Sequence, residues 1–276
     1  MESSTILTAD PIVKWAGGKR AIKEKIKQYF PKDFQTYIEP FCGGAAIALS
    51  MGLDNVVIND INADLINVYL YLKDSMKYKY LMYYLEYWQS NNNYLSEKFY
   101  YRLRTAYNKH NDKLVNAAQF IALNKLGYNG LFRVNSKGEF NVPWGKRSAS
   151  TKIYEPEKIE AIHKKLQTIQ IYNKNYWELD YKARDFVYLD PPYDTDKQNF
   201  TSYNSGVFSK IEQANLSVFC SFLTNDGVRF CQSNADTEFI RELYKDFNIY
   251  EIEAPRRIAC NGDRTKAKEV LITNYV

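Results

Sequence analysis

The chain has 276 residues, 45% of them apolar and 25% charged, which is enough to bury a sizeable core and excludes a disordered or fibrous protein. Its formal charge of +5 favours contact with a polyanion without identifying one. The four cysteines, Cys42, Cys220, Cys231 and Cys260, are scattered without a CxxC pair and accompany only two histidines, which argues for reduced thiols and against a metal site. No stretch is long enough to span a bilayer, and Met1–Asp10 lacks a basic segment followed by an apolar run. The expectation is an intracellular, cytoplasmic protein with no membrane partner. The many aromatic residues (24 Tyr, 15 Phe and 4 Trp) mostly read as core filling, although such rings also stack on bases.

Along the chain, Ile22, Ile26, Tyr29 and Phe30 have the spacing of one helical face, so a helix is predicted from Lys19 until Pro31 stops it. Gln35–Ile38 reads as a strand leading into Pro40-Phe41-Cys42-Gly43-Gly44, and Ala45–Met51 as a small-residue helix. Asn55–Asp60 is a second, buried strand. Asn62 then caps a helix carrying Leu65, Val68, Tyr69 and Leu72. From Tyr71 to about Lys125 the text is helical and rich in tyrosine and lysine. Leu131–Trp144, with Asn135-Ser136-Lys137-Gly138 as turn material, predicts a β-hairpin. A helix from Pro156 to Leu166, a strand over Thr168–Tyr172 and a buried strand over Phe186–Leu189 restore the α/β rhythm. Helix, strand (Val228–Gln232) and helix (Thr237–Tyr244) follow, and Asn248–Val276 reads as paired strands with a turn at Gly262. Such alternation predicts an α/β fold, 1–70 and 156–276, interrupted by a helical insertion, 71–155, that ends in the hairpin.

In an open α/β sheet, ligands bind at the carboxyl ends of the strands. Gly43 and Gly44 follow the first strand, and Asp60 closes the next, where an acid can accept hydrogen bonds from ribose hydroxyls. The GxGxxG order of dinucleotide sites is absent, because Ala45 and Ala48 stand where later glycines would be. Alone, this pattern also fits a tight turn with no ligand. Asp190-Pro191-Pro192-Tyr193, directly after a buried strand, is far more specific. An aromatic exocyclic amine is a weak nucleophile because its lone pair is delocalised into the ring. A carboxylate accepting one N–H and a backbone carbonyl accepting the other would favour the sp³ geometry needed for attack on a sulfonium methyl. Proline fixes φ and brings no N–H of its own, and Tyr193 offers a flat face for a base.

With these residues in place, the chain resembles the Dam-type DNA adenine-N6 methyltransferases over nearly its full length. Lys14-Trp15-Ala16-Gly17-Gly18-Lys19 resembles the family's N-terminal signature and Glu39-Pro40-Phe41-Cys42-Gly43-Gly44 its cofactor loop. Asn59-Asp60-Ile61-Asn62 resembles its ribose-binding turn, Asp190–Tyr193 its DPPY catalytic motif, and Asn199-Phe200-Thr201-Ser202-Tyr203 the stretch that follows. The resemblance implies a Rossmann-like, S-adenosylmethionine-dependent methyltransferase sheet whose insertion recognises the target. It places Trp15, Lys19, Phe41, Gly43 and Asp60 on S-adenosylmethionine, with Asp60 on its ribose and Asp190 shared between cofactor and target amine. On the residues alone, Lys19 reads as an exposed lysine at a helix start and Trp15 as core.

The stretch from Tyr128-Asn129-Gly130-Leu131-Phe132-Arg133-Val134-Asn135 to Gly138–Gly145 resembles the recognition hairpin of members that modify GATC in double-stranded DNA, with Trp144 where the family usually has Phe. A two-stranded ribbon fits the major groove, where Arg133 can make a bidentate contact with guanine and Asn135 can face bases beside it. An adenine inside a duplex must be flipped out to react, and Tyr128 is placed to fill the gap by stacking. By similarity Lys14 also reaches a guanine. Arg102, Arg104, Lys109, Lys146 and Arg147, with Arg256, Arg257 and Arg264 in the tail, are candidates for phosphate contact. A cognate restriction endonuclease acting on the same site is a partner the resemblance leaves open. Two other readings compete: a methyltransferase acting on a protein glutamine or an RNA base, and a catalytically inert DNA-binding module.

Overall fold

The structure, a computed structural model, describes residues 8–109, 112–194, 208–254 and 267–276. The expected motif Asn199–Tyr203, the thiol of Cys260, the turn at Gly262 and the arginines Arg256, Arg257 and Arg264 lie outside the described residues. The helices are α1 (Lys23–Lys27), α2 (Ala63–Lys73), α3 (Ser75–Gln89), α4 (Glu97–Lys109), α5 (Lys113–Leu126), α6 (Pro156–Leu166), α7 (Lys210–Asn225) and α8 (Glu238–Leu243). The strands are β1 (Tyr37–Glu39), β2 (Val56–Asn59), β3 (Ile169–Tyr172), β4 (Phe186–Leu189), β5 (Arg229–Ala235), β6 (Asn248–Ala254) and β7 (Ala267–Thr273). The α/β class expected from the sequence is the class observed.

The chain divides into two compact units. One comprises the described parts of Met1–Gly18 together with Cys42–Asn173. In it β2 and β3 pair in parallel, from Val56 opposite Ile169 to Asn59 opposite Tyr172. Helix α2 starts at Asn62, whose side chain accepts from the Leu65 N–H as expected, and buries Leu65, Val68, Tyr69 and Leu72. The long helical text that follows is cut into separate helices, and Asp74 and Asp112 each accept two N–H groups at the start of α3 and α5. Ala117, Ala118, Ile121 and Ala122 of α5 are buried, and their small or branched side chains let α2, α3 and α4 pack around it.

The other unit comprises Lys19–Phe41 and the described parts of Lys174–Val276. Its strands run in the order β1, β4, β5, β7, β6. The pairs β1–β4 and β4–β5 are parallel, whereas β5–β7 and β7–β6 are antiparallel. Every residue of β4 is buried, as its unbroken apolar run requires of a strand covered on both faces. Helix α7 lays Leu216, Cys220 and Leu223 into the core, and Thr237 caps α8 by accepting from the Ile240 N–H.

Three expectations need correction. The helix predicted over Lys19–Phe30 is broken into a 3₁₀ turn, Lys19–Ala21, and the short α1, with Ile22 out of helical geometry at the join (φ −122°, ψ 6°). The helix predicted over Ala45–Met51 shrinks to a 3₁₀ turn at Ala48–Ser50, because Ala45 lies in the left-handed region (φ 51°) and cannot begin a helix. The hairpin is present as a bend with single antiparallel bridges, Val134 to Phe140 and Gly127 to Trp144, rather than as two strands. Side chains of α4 take the backbone groups a ladder would use. Asn108 bonds both the N–H and the C=O of Phe140, and Tyr100 and Arg104 both donate to the Val142 carbonyl.

Candidate functional site

In the first unit the glycine turn is held from three directions. The Gly43 N–H donates to Asp60 Oδ2 at 2.9 Å, and the Tyr69 hydroxyl of α2 donates to the Gly43 carbonyl at 2.8 Å. The Cys42 N–H donates to the Asn59 carbonyl at the end of β2. Asp60 Oδ1 accepts from the Asn62 N–H at 2.9 Å. Burial pushes the Asp60 carboxyl above its ordinary value, while the Asn62 and Gly43 N–H groups pull it back down. Gly43 has φ 47°, and a Cβ there would lie 2.5 Å from Trp15 Cδ1. The missing side chain therefore makes room for the Trp15 indole, which stacks in turn on Phe132 at 5.7 Å and on Phe120 at 6.4 Å.

In the second unit Asp190 closes β4. Its Oδ1 lies 2.8 Å from Lys19 Nζ, with side-chain exposures of 19% and 5%. Lys19 is thus buried, contrary to its plain reading as an exposed helix-start lysine. The same ammonium sits 4.6 Å from the centre of the Tyr193 ring, and the Tyr193 hydroxyl donates to Glu269 Oε2 of β7 at 2.8 Å. Burial raises the Asp190 carboxyl above its ordinary range; the Lys19 charge opposes this and the Glu269 charge reinforces it. The two prolines are not equivalent. The Pro192 carbonyl accepts from Gln213 Nε2 at 2.8 Å, whereas that of Pro191 accepts no hydrogen bond among the described residues. Phe41 packs on Tyr176 at 5.2 Å and meets Phe208 edge-on at 5.9 Å.

The remaining residues singled out from the sequence cluster around the bend in the first unit. Tyr128 is 52% exposed, and Asn129 takes the left-handed conformation (φ 53°). Arg133 is exposed, with Nε donating to Asn141 Oδ1 at 2.7 Å and an Nη2 N–H to the Asn141 carbonyl at 3.3 Å. Asn135 is largely committed to the turn: its Oδ1 accepts from the Lys137 and Glu139 N–H groups and its Nδ2 donates to Glu139 Oε2. Lys14 is joined to the bend through Asn124. Of the proposed phosphate contacts, Arg104 and Arg147 instead brace the bend, Arg147 donating to the Gly127 carbonyl. Glu269, Gln213 and Asn124 escape a reading of the sequence, because each meets its partner across a long span of chain with no local pattern to mark it.

Among the described residues, Cys42, Cys220 and Cys231 are buried free thiols, no group of three or more His, Cys, Asp or Glu side chains is placed to hold a metal ion, and no helix is long and apolar enough to cross a membrane. A buried carboxylate at a strand end, followed by two prolines and a tyrosine, is an arrangement suited to gripping a planar amine. The profile of the D12 class N6 adenine-specific DNA methyltransferases matches residues 15–258. The Type II methyltransferase M.MjaIII of Methanocaldococcus jannaschii is 36% identical over 286 residues, which cover 96% of this chain and 99% of that protein. The Type II methyltransferase M1.LlaDCHI of Lactococcus lactis subsp. cremoris is 37% identical, covering 96% and 95%, and the DNA adenine methylase of Escherichia coli K12 is 34% identical, covering 95% and 94%. The chain belongs to the D12 class of N6 adenine-specific DNA methyltransferases. It is an enzyme acting on DNA, which sets aside both the RNA or protein substrate and the inert binding module.

Proposed function

We propose that the chain transfers a methyl group from S-adenosylmethionine to N6 of an adenine flipped out of double-stranded DNA, within GATC. One observation carries the reading: Asp190 is a largely buried carboxylate beside a Pro191 carbonyl that accepts no hydrogen bond among the described residues. Two acceptors next to each other in sequence can take the two N–H bonds of one amine. The assignment falls on Pro191 because Gln213 already occupies the Pro192 carbonyl. Asp190 then draws the nitrogen lone pair out of conjugation, Tyr193 stacks on the base, and Lys19 keeps the buried acid ionised until the amine arrives.

The residues fit a nucleoside-bearing donor. Asp60 uses one lone pair on each oxygen for the Gly43 and Asn62 N–H groups and retains capacity for ribose hydroxyls. Trp15, in the same unit as Asp60, offers an aromatic face, and Gly43 keeps the turn close to it. When bound, S-adenosylmethionine supplies an electrophilic methyl group on a sulfonium. After transfer the methylated amine is cationic, and Asp190 accepts its proton or passes it to water.

We assign the insertion 71–155 to target recognition. Arg133 reads a guanine, Lys14 a second, Asn135 offers its remaining amide N–H, and Tyr128, presented by the turn at Asn129, fills the gap left by the flipped base. The test is expression in a methylation-free host followed by sequencing of modified bases, with N6-methyladenine expected at GATC. A different methylated sequence would overturn the base-reading assignments and leave the transfer chemistry standing. Asp190→Ala should abolish methylation while retaining DNA binding; surviving turnover would refute the role given to Asp190.

A further inference from the structure

Asn124 lies on α5 and is only 2% exposed. Its side chain reaches two other stretches of the same unit. Oδ1 accepts from the Lys14 N–H at 2.8 Å, and Nδ2 donates to the Lys14 carbonyl at 2.9 Å and to the Gly130 carbonyl at 2.8 Å. Both amide N–H groups are thus used, and the Lys14 main chain is gripped at its donor and its acceptor together, as a neighbouring strand would grip it. Gly130 belongs to the turn that carries Tyr128 and Asn129. It has φ 66°, and a Cβ there would lie 2.7 Å from Lys14 Cδ and 2.8 Å from Lys14 Cβ. The stem of Lys14 therefore runs directly against the turn. Trp15, the next residue, stacks on Phe132 of the same bend.

A lysine is a poor reader of bases unless its flexible stem is restrained, because ordering it on the target costs about 0.5–1.5 kcal/mol. We propose that Asn124 is a positioning residue for target recognition, which fixes the Lys14 side chain in register with the turn bearing Tyr128 and with Arg133 beyond it. The inference rests on the reading above in which Lys14 contacts a guanine of the site. It also explains why so buried a position holds an amide. Where an apolar residue would leave the Lys14 N–H and two carbonyls unpaired, asparagine satisfies all three.

The experiment compares kcat/KM on a GATC duplex with that on a duplex in which the guanine is replaced, for the parent, Asn124→Asp, Lys14→Ala and the double variant. Asn124→Asp keeps size and one acceptor but loses both N–H donors; Asn124→Ser is the alternative should the aspartate variant melt far below the parent. Discrimination should fall about tenfold or more in either Asn124 variant. It should fall no further when the Asn124 change is added to Lys14→Ala, because Asn124 acts through Lys14. A merely structural role would lower activity on both duplexes alike, with their ratio unchanged, and would overturn the inference. If Lys14→Ala lowers the ratio and the Asn124 variants do not, Lys14 reads the base without this support and the inference is wrong while the functional reading stands. If Lys14→Ala leaves the ratio untouched, the guanine contact itself is wrong and the inference falls with it.

Discussion

Gly43→Ala tests the architecture of the glycine turn directly. Gly43 sits at φ 47°, where an L side chain costs about 1–2 kcal/mol. The added methyl would lie 2.5 Å from Trp15 Cδ1 and 2.9 Å from Trp15 Nε1, so the indole must leave its place. Moving it disturbs stacking on Phe132 and Phe120, contacts worth about 0.5–1.5 kcal/mol each beyond their buried area. The combined loss is about 2–5 kcal/mol, which in a chain of this size lowers Tm by roughly 3–9 °C. Thermal denaturation followed by tryptophan fluorescence reads both the stability and the indole environment, and calorimetry with S-adenosylmethionine reads the binding consequence. In a Trp15→Ala background only the backbone strain should remain, so the two substitutions must be non-additive. A Gly43→Ala protein that melts with the parent and binds the cofactor equally well would refute the packing argument.

Arg133→Ala should reduce discrimination at one guanine by about 1–3 kcal/mol, and Asn141→Ala by less, measured as the ratio of kcat/KM on matched and mismatched duplexes. Asp190 is raised by burial, so activity that needs its ionised form is present at high pH and is lost as pH falls through its folded value. Lys19→Met removes the opposing charge and should move the acid limb of kcat/KM to higher pH, whereas Glu269→Gln removes the reinforcing charge and should move it to lower pH; shifts of the same sign in both would contradict the site's electrostatics. Trp144 Nε1 is buried without a hydrogen-bond partner among the described residues, so Trp144→Phe should change stability by no more than about 1 kcal/mol in a thermal melt, the lost packing being offset by removal of an unpaired N–H.

Elements defined by nearest neighbours in sequence were legible. The run Phe186–Leu189 ends in Asp190 as expected, and Asn62 caps α2 as its position suggests. The bend at 131–144 shows where such reading stops. Its residues have strand-like character, but the backbone groups of Phe140 and Val142 are claimed by Asn108, Tyr100 and Arg104, and nothing in the local text marks those α4 side chains as competitors. The candidate site divides the same way. Asp190, Tyr193, Asp60 and Gly43 stand out by motif. The atoms that define their chemistry, Glu269 on Tyr193 and Gln213 on Pro192, come from 76 and 21 residues away. Lys19 reads as exposed from its neighbours in sequence, whereas its burial follows from the carboxylate of Asp190 and not from the residues beside it.

The hold on Arg133 bears on how a base would be read. Asn141 grips the edge formed by Nε and Nη2, through one side-chain and one backbone acceptor. A guanidinium has five N–H donors in a rigid plane, so the edge formed by Nη1 and Nη2 still presents two N–H groups outward. That edge suffices for a bidentate contact with guanine O6 and N7. The arginine therefore does not have to abandon its intramolecular bonds to meet a base, and its side chain is ordered before any duplex arrives. Without such a hold, ordering the side chain on the target would cost about 0.5–1.5 kcal/mol, a sizeable part of the ~1–3 kcal/mol by which one good pair discriminates. The same logic applies to Lys14 through Asn124: the two basic side chains assigned to base reading are each tethered by an asparagine, one at the guanidinium and one at the main chain. Specificity on this account depends as much on the asparagines that aim the cations as on the cations themselves.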